Sequence, residues 1–504
     1  MHSQRSYRFP WRALKHTETG LLSYSDEQLA RLESRLAGSL QQPGYPGYND
    51  DRMVFMHTEQ HYPQLIVHAT CDTDVVAALD FARARGLAVT CRSGGHSTAG
   101  YSVNDQLVID TSRMDHVLID RERRTARVGP GVNFRKFNLM LDAARLHVPG
   151  GGCETVCVAG YMMGGGYGFS SRLFGMNSDH VIGVRLAKPD GTIVHARKGH
   201  HEDLLWAIRG GTGNQFGVLL EIEYRLVELH EVTGFGLRFP LGRPEDNAVV
   251  SRVIACLQKK YSNGPESDTG TVGLQGLMMY LPTAKDPTGQ HPCFLIRGLG
   301  AGSIAETKAA LGPLLDFIED EESQIEIMRR GSYLRMNEAL LQTVDPPGLD
   351  MPTVSMNTKP LVDSRMISEL HSAEEWLPVI EHFLTAPDRT CFIAMEFYGG
   401  AINEVAADAT AYVHRDASLD FFSWAFWTFD SHEGPVTQWL DTLMAFGDRL
   451  GNGLRYQNYP RRGNPDFREQ YFAGNLDRLM QVKRDYDPDN LFAYEQGLLG
   501  QEGR

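Results

Sequence analysis

Among the 504 residues no apolar run approaches the length of a membrane-spanning helix, about eighteen residues. Positive charge is scarce: 49 Lys and Arg stand against 63 Asp and Glu, a formal net charge of −14. Nucleic-acid binding rests on neutralising phosphates with Lys and Arg, so neither a nucleic acid nor an anionic membrane is an expected partner. The seven cysteines include no CxxC pair, and their odd number and scatter give neither a disulfide framework nor a zinc site. Most are expected to be reduced, buried thiols, and no metal is expected. Residues 1–11 (MHSQRSYRFPW) lack the apolar core of a signal peptide. The expected compartment is the cytoplasm, with secretion an open alternative. The glycine run at 210–217 (GGTGNQFG) lacks the Lys-Ser/Thr of a phosphate-binding loop, which sets nucleoside triphosphate hydrolysis aside.

What the chain does have is ordinary globular material, 42% hydrophobic and 22% charged, in a length that exceeds one hydrophobic core. Ser25 before Leu29, Leu32 and Leu36 at helical spacing predicts a short capped helix, followed by a Pro/Gly-rich connector at 41–50. From residue 62 strands and helices alternate. Strands are expected at 64–69, 86–91 and 107–110, with a strand pair beginning across 121–128. Helices are expected at 73–86, 134–144 and 203–208. A hairpin about Pro189-Asp190-Gly191 and a long strand at 217–226 follow. Around 232–240 the pattern shifts to longer strands, with a helix at 246–260 and antiparallel strands at 293–300, 391–398 and 420–428. Many short strands mixed with helices predict an α+β fold. The expected divisions are 1–55, 56–230, 231–450 and 451–504.

Two glycine-rich stretches stand out. Residues 91–101 (CRSGGHSTAGY) follow a predicted strand, and Ser93-Gly94-Gly95 lets successive backbone N–H groups point into one concavity, a nest for phosphate oxygens. Arg92 stands beside it and His96 and Ser97 continue the turn. Residues 149–168 (PGGGCETVCVAGYMMGGGYG) carry Cys153 within a flexible frame that also includes Thr155, Val158, Gly160, Gly164 and Gly165. A lone histidine in such a turn, or a lone cysteine, is ordinarily structural. Further on come 175–191, 203–217, 399–416, Tyr456-Gln457-Asn458-Tyr459 and 486–492 (YDPDNLF).

In this order the fragments resemble the berberine bridge enzyme-like branch of the vanillyl-alcohol oxidase flavoproteins. The resemblance spans roughly residues 60 to 500. It implies a PCMH-type FAD-binding domain of two small α/β subdomains at 56–230, a substrate domain with a broad antiparallel sheet backed by helices at 231–450, and a C-terminal segment returning to the FAD domain. It implies FAD held by two covalent bonds, from His96 to the flavin 8α-methyl carbon and from Cys153 to ring carbon 6. Two such tethers would permit an open substrate groove and raise the flavin's reduction potential. Gly217, Val218 and Ile182 are expected near the cofactor. Cys157, at a position where the family commonly has glycine, is read as a packing thiol.

The resemblance also places Tyr459 where relatives have the tyrosine that deprotonates the substrate hydroxyl. A phenol's reference pKa near 10 makes this require a lowered pKa or concerted proton loss. Tyr456 shares the candidate catalytic element, with Asn458 as a support, and Arg455 is either a cation for a phenolate or a solvated surface charge. Glu396, Tyr398, Trp424 and Phe426 are candidate substrate contacts, although alternation alone leaves open which strand face looks inward. Asp420 is the one acid on its strand, and the pattern does not match alkaloid ring closure. The turn 414–416, despite its His and Asp, is read as a family turn and not a triad. The expected activity is two-electron oxidation of an alcohol or hemiacetal carbon with oxygen reduced to hydrogen peroxide. The expected substrate is a sugar, an oligosaccharide or a glycosylated secondary metabolite. The alternatives are a dehydrogenase using another acceptor and a non-catalytic carbohydrate-binding homologue.

Overall fold

The computed structural model describes residues 24–56, 60–263, 267, 271–283, 286, 289–318, 323–341 and 359–500. The stretch 1–11 lies outside them. Helix Asp26–Glu33 starts as expected: the Ser25 hydroxyl accepts from Gln28 N while the Gln28 side chain accepts from Ser25 N. Strands Ser39–Gln41, Leu65–His68, Leu107–Asp110 and Val89–Arg92 lie side by side in that order. The first pair is antiparallel and the others parallel. Helix Asp72–Arg83 buries Val75, Ala78, Leu79 and Ala82 in the core beside this sheet.

A second, fully antiparallel sheet runs Val117–Asp120, Thr125–Val128, Val218–Arg225, Val181–Ala187, Ile193–Arg197. The hairpin about Pro189-Asp190-Gly191 forms as expected, Asp190 Oδ1 accepting from Thr192 N at 2.9 Å. The strand pair begins at Val117, earlier than residue 121, and turns through Arg124 with φ 51°.

The third sheet has seven antiparallel strands: Gln324–Gly331, Val232–Pro240, His291–Gly300, Val272–Leu281, Phe392–Phe397, Leu419–Trp427 and Lys359–Ile367. Helices Pro244–Tyr261, Ala373–Phe383 and Glu433–Leu450 cover one face, burying Val253, Trp376, Leu440 and their neighbours. Leu274, Met278 and Tyr280 face those helices, whereas Leu277, Met279 and Leu281 pack on the opposite side. Strand Val272–Leu281 is therefore buried on both faces, which explains why it shows no polar alternation. Among the described residues no helix is long and apolar enough to cross a membrane.

The C-terminal segment ties the sheets together. Helix Leu476–Tyr486 presents Lys483, which meets Asp487 at 2.6 Å with both side chains wholly buried. Asp487 also accepts from Leu491 N and Phe492 N, so the YDPDNLF stretch is a structural lock. Removing either partner of such a pair costs about 3–5 kcal/mol.

Candidate active site

The site has two walls. The first is made of loops. Strand Val89–Arg92 delivers the turn that carries Ser93, Gly94, Gly95, His96 and Ser97. Gly95 takes φ +69°, which L side chains rarely adopt, and its carbonyl accepts from Phe55 N. Among the described residues the backbone N–H groups of these five residues donate to no acceptor. A row of unspent donors in one turn is the expected cradle for an anion. Asn214, from the glycine run at 210–217, braces the turn: its Oδ1 accepts from Cys91 N at 2.7 Å and its Nδ2 donates to Tyr101 O. Arg92 spends Nε and Nη2 on buried Asp110, at 2.7 and 2.6 Å, leaving only Nη1 without a partner. Its charge is thus largely balanced within the fold.

His96 Nε2 stands 3.0 Å from Thr155 Oγ1, which in turn lies 3.5 Å from Cys153 Sγ. One hydroxyl therefore bridges the imidazole and the thiol. Phe55 stacks on His96 with centroids 5.2 Å apart, and burial pushes the imidazole's pKa down, favouring the neutral ring. Cys153 is exposed, whereas Cys157 is buried with its Sγ on Gly131 O, in keeping with a packing thiol.

The second wall is one face of the seven-stranded sheet together with the C-terminal loop. Arg297 Nε and Nη2 donate to Gln275 Oε1 at 3.0 and 2.7 Å, and Nη1 donates to Leu340 O. Gln275 Nε2 donates to Glu396 Oε1 at 3.2 Å, and Tyr459 Oη approaches the same oxygen at 3.5 Å. Burial pushes the Glu396 pKa up to about 8, opposed by the Arg297 charge and by hydrogen bonds from Tyr459 and Gln275. Burial lowers Arg297 to about 10.

Tyr459 packs on Phe422 and meets Tyr456 edge to face, with centroids 4.4 and 5.1 Å apart. Burial, reinforced by Glu396, holds its phenol well above the usual value. Of the two routes open to a tyrosine base, the lowered pKa is thus absent and concerted proton loss remains. Tyr456 is a support: its Oη accepts from Gly166 N at 3.0 Å and from Asn458 Nδ2 at 3.1 Å. Arg455 does not serve a phenolate, because Asp363 binds its Nη1 at 2.9 and 3.1 Å. The turn at 414–416 is a clamp: His414 Nε2 meets Gln457 Oε1 at 3.0 Å, and Arg415 is paired with Asp179.

Between the walls lies a cavity of about 500 Å³. Its lining includes His96, Cys153, Arg92, Ser93, Gly94, Gly95 and Ser97. Gly160, Gly217, Val218, Tyr456, Asn458 and Tyr459 line it as well. Thr155 adjoins it through His96. Val158, Gly164, Gly165 and Ile182 do not reach its surface. Gly164 packs behind it, where an added Cβ would fall 1.9 Å from Asn458 Oδ1. Of the substrate-contact candidates, Glu396 and Trp424 face the cavity. Tyr398 instead bonds Tyr412 Oη at 2.6 Å, and Phe426 stacks behind Trp424. Gln275, Arg297, Phe392 and Phe422 also line the cavity and escaped sequence reasoning. They come from strands whose inward face only the pairing register reveals.

An anion cradle on one side, an imidazole and a thiol at one edge, and a broad slot with aromatic walls suit a flat ring joined to a pyrophosphate. The residues fit a flavin dinucleotide, and this defines the class as FAD-binding oxidoreductases. The comparisons agree. Residues 63–197 match the FAD binding domain model, and 455–498 match the model described as berberine and berberine like. An FAD-linked oxidoreductase of Bacillus subtilis, YvdP, is 28% identical over 478 residues, covering 92% of this chain and 98% of that protein. The xylooligosaccharide oxidase of Thermothelomyces thermophilus is 25% identical, covering 90% of each. The solved structure of Physcomitrella patens BBE-like 1 shares the fold with a TM-score of 0.80 at 23% identity, covering 93% of this chain and 98% of that one. By these matches the chain is an FAD-linked oxidoreductase that resembles the berberine bridge enzyme-like proteins along most of its length.

Proposed function

We propose that the protein is an oxidase that converts the CH–OH group of an alcohol or hemiacetal to a carbonyl while dioxygen becomes hydrogen peroxide. The observation that carries this reading is the placement of Tyr459 Oη and Glu396 across one cavity from His96 and Cys153. The bound flavin supplies the two-electron acceptor. The protein supplies proton handling: Tyr459 takes the substrate hydroxyl proton as its own passes to Glu396 Oε1, 3.5 Å away. Concerted transfer removes the need for a free phenolate. Tyr456 and Asn458 hold the tyrosine's backbone turn against Gly166 and Tyr161.

We further infer that His96 and Cys153 both bond the flavin. Thr155 brings their side chains together, and its bond to Nε2 would leave Nδ1 of a neutral imidazole for the cofactor. A substrate body would rest on Phe422, Trp424 and Phe392, a surface that suits a sugar face or an aromatic ring. The xylooligosaccharide oxidase among the relatives supports carbohydrate alcohols as one class.

Intact mass and anaerobic bleaching test the two parts. The folded chain should carry the mass of one FAD through acid and detergent, and the His96→Ala, Cys153→Ala double variant should release it. An alcohol that bleaches the flavin anaerobically should regenerate it on admitting air, with one peroxide formed per turnover. Bleaching without reoxidation by oxygen would make the protein a dehydrogenase.

A further inference from the structure

The polar groups of the sheet wall form a row. Arg297 is the register partner of Gln275, Gln275 of Glu396, and Glu396 of Asp420, so four adjacent strands place four polar side chains in one line on one face. All four are buried in a sheet that is otherwise mostly apolar. Burying a guanidinium and carboxyl groups is costly, and the first three members lower that cost by answering one another. The hydrogen bonds show how. Arg297 donates twice to Gln275 Oε1, which fixes the amide's orientation. Its NH₂ then has to point at Glu396, and Nε2 does so at 3.2 Å. Gln275 thus carries the polarity of the cation one strand further and delivers an N–H to the oxygen that Tyr459 approaches.

We propose that Arg297 is a positioning residue: acting through Gln275, it aims Glu396 at Tyr459 and shifts it toward the carboxylate form that can accept a proton. The inference rests on the reading that Tyr459 passes its proton to Glu396. The far end of the row completes the charge balance. Asp420 is wholly buried and both its carboxyl oxygens lack a hydrogen-bond partner, which is the environment of a neutral acid. Burial, with Glu396 and Asp363 nearby, keeps its pKa well above the carboxylate range. Above about pH 8 the row then carries one positive charge at Arg297 and one negative charge at Glu396, and below it Glu396 is a neutral acid as well. The other titratable groups around Glu396 are the phenols of Tyr161, Tyr167, Tyr398, Tyr456 and Tyr459; burial holds all of them above the usual phenol value, hence neutral.

The test reads the carboxyl directly and needs no substrate. In the flavin-loaded protein, the infrared C=O band of protonated Glu396, assigned by its loss in Glu396→Gln, should titrate with a midpoint near pH 8. A second protonated-carboxyl band, lost in Asp420→Asn, should persist across that range. Arg297→Met should move the Glu396 midpoint up by at least one pH unit, a tenfold change in proton affinity, and Arg297→Lys should recover part of the shift. Gln275→Met, which leaves Arg297 in place, should also raise the midpoint, so the proposal survives a failure of Arg297→Met to fold. An unchanged midpoint in Gln275→Met, or in a folded Arg297→Met, overturns it. Because the titration is read without turnover, this outcome is separate from a failure of Tyr459→Phe to slow oxidation, which would overturn the proton route itself.

Discussion

On the loop wall, His96 and Cys153 are placed by segments whose backbone conformation demands particular residues, with Gly95 at φ +69° and Asn214 bracing both ends of one turn. On the sheet wall, Arg297, Gln275 and Glu396 ride on regular strands, and their partnership depends on the register between strands up to 121 residues apart. On the proposed reading, the loop wall holds what is attached and the sheet wall what moves a proton. Loops can be shaped to reach a bound ring closely, whereas a buried sheet keeps charged groups at fixed spacing with water excluded. The difference teaches that attachment and chemistry should fail separately.

The largest separation is expected at Tyr459. Tyr459→Phe keeps the ring on Phe422 and removes only the hydroxyl, so anaerobic flavin reduction should fall about 10²–10⁴-fold, the usual worth of a positioned general base. Covalent flavin, read by intact mass, should be unchanged. Equal loss of both would dissolve the distinction between the walls.

Next in size is the pH dependence. Glu396 accepts a proton only as a carboxylate, and burial raises its pKa to about 8. Flavin reduction should therefore rise with pH through about 8 and level off above it. Below that value the rate should drop about tenfold per pH unit, as a single protonation requires. Glu396→Gln should abolish this limb and leave a slow, nearly flat profile. A limb that persists unmoved in the variant assigns the titration to another group.

The sequence made the loop wall legible because close backbone approach and unusual φ angles narrow residue choice, so SGGH and the GGGC run announce themselves. The expected elements at 107–110 and 134–144 form at those boundaries, Leu107–Asp110 and Phe134–Ala144. The sheet wall was legible only in part. Glu396 and Trp424 stood among the candidates, but so did Tyr398, which bonds Tyr412 instead, and Phe426, which shares the face of Trp424 but lies outside the cavity. Gln275 sits in a strand buried on both faces, where no period marks the inward side, and Arg297 in another nearly so. Arg455 looked like a partner for a phenolate because sequence proximity hides Asp363, 92 residues away. Long-range pairing decides these points, and one chain read in order does not display it.

Gly164 lies where the walls meet. A Cβ there would fall 1.9 Å from Asn458 Oδ1, and Asn458 is the residue whose Nδ2 holds Tyr456 Oη and Tyr161 O. Gly164→Ala should push Asn458 aside and loosen the turn that ends in Tyr459. A shift of about 1 Å at a catalytic group costs up to roughly 10²-fold in rate, so a fall of about 10- to 100-fold in flavin reduction is expected, with attachment retained. Loss of attachment instead would place Gly164 with the loop wall.

The smallest effect is expected at Thr155, which touches both proposed attachment residues and none of those proposed to handle the proton. Its hydroxyl is 3.0 Å from His96 Nε2 and 3.5 Å from Cys153 Sγ. Thr155→Val keeps the branched shape but leaves both groups without that partner, and losing one ordinary hydrogen bond is worth about 1 kcal/mol, close to fivefold. Attachment, followed as the growth of acid-stable flavin after FAD is added, should slow by about that factor, because the imidazole loses the bond that sets its tautomer and aim. With attachment complete, the two proposed covalent bonds would do the holding and the hydroxyl would have nothing left to contribute. Flavin reduction in the fully loaded variant should therefore match the parent within about twofold. A variant that attaches flavin normally but reduces it slowly would mean that Thr155 serves the sheet wall's chemistry across the cavity, and the division between the walls would have to be redrawn.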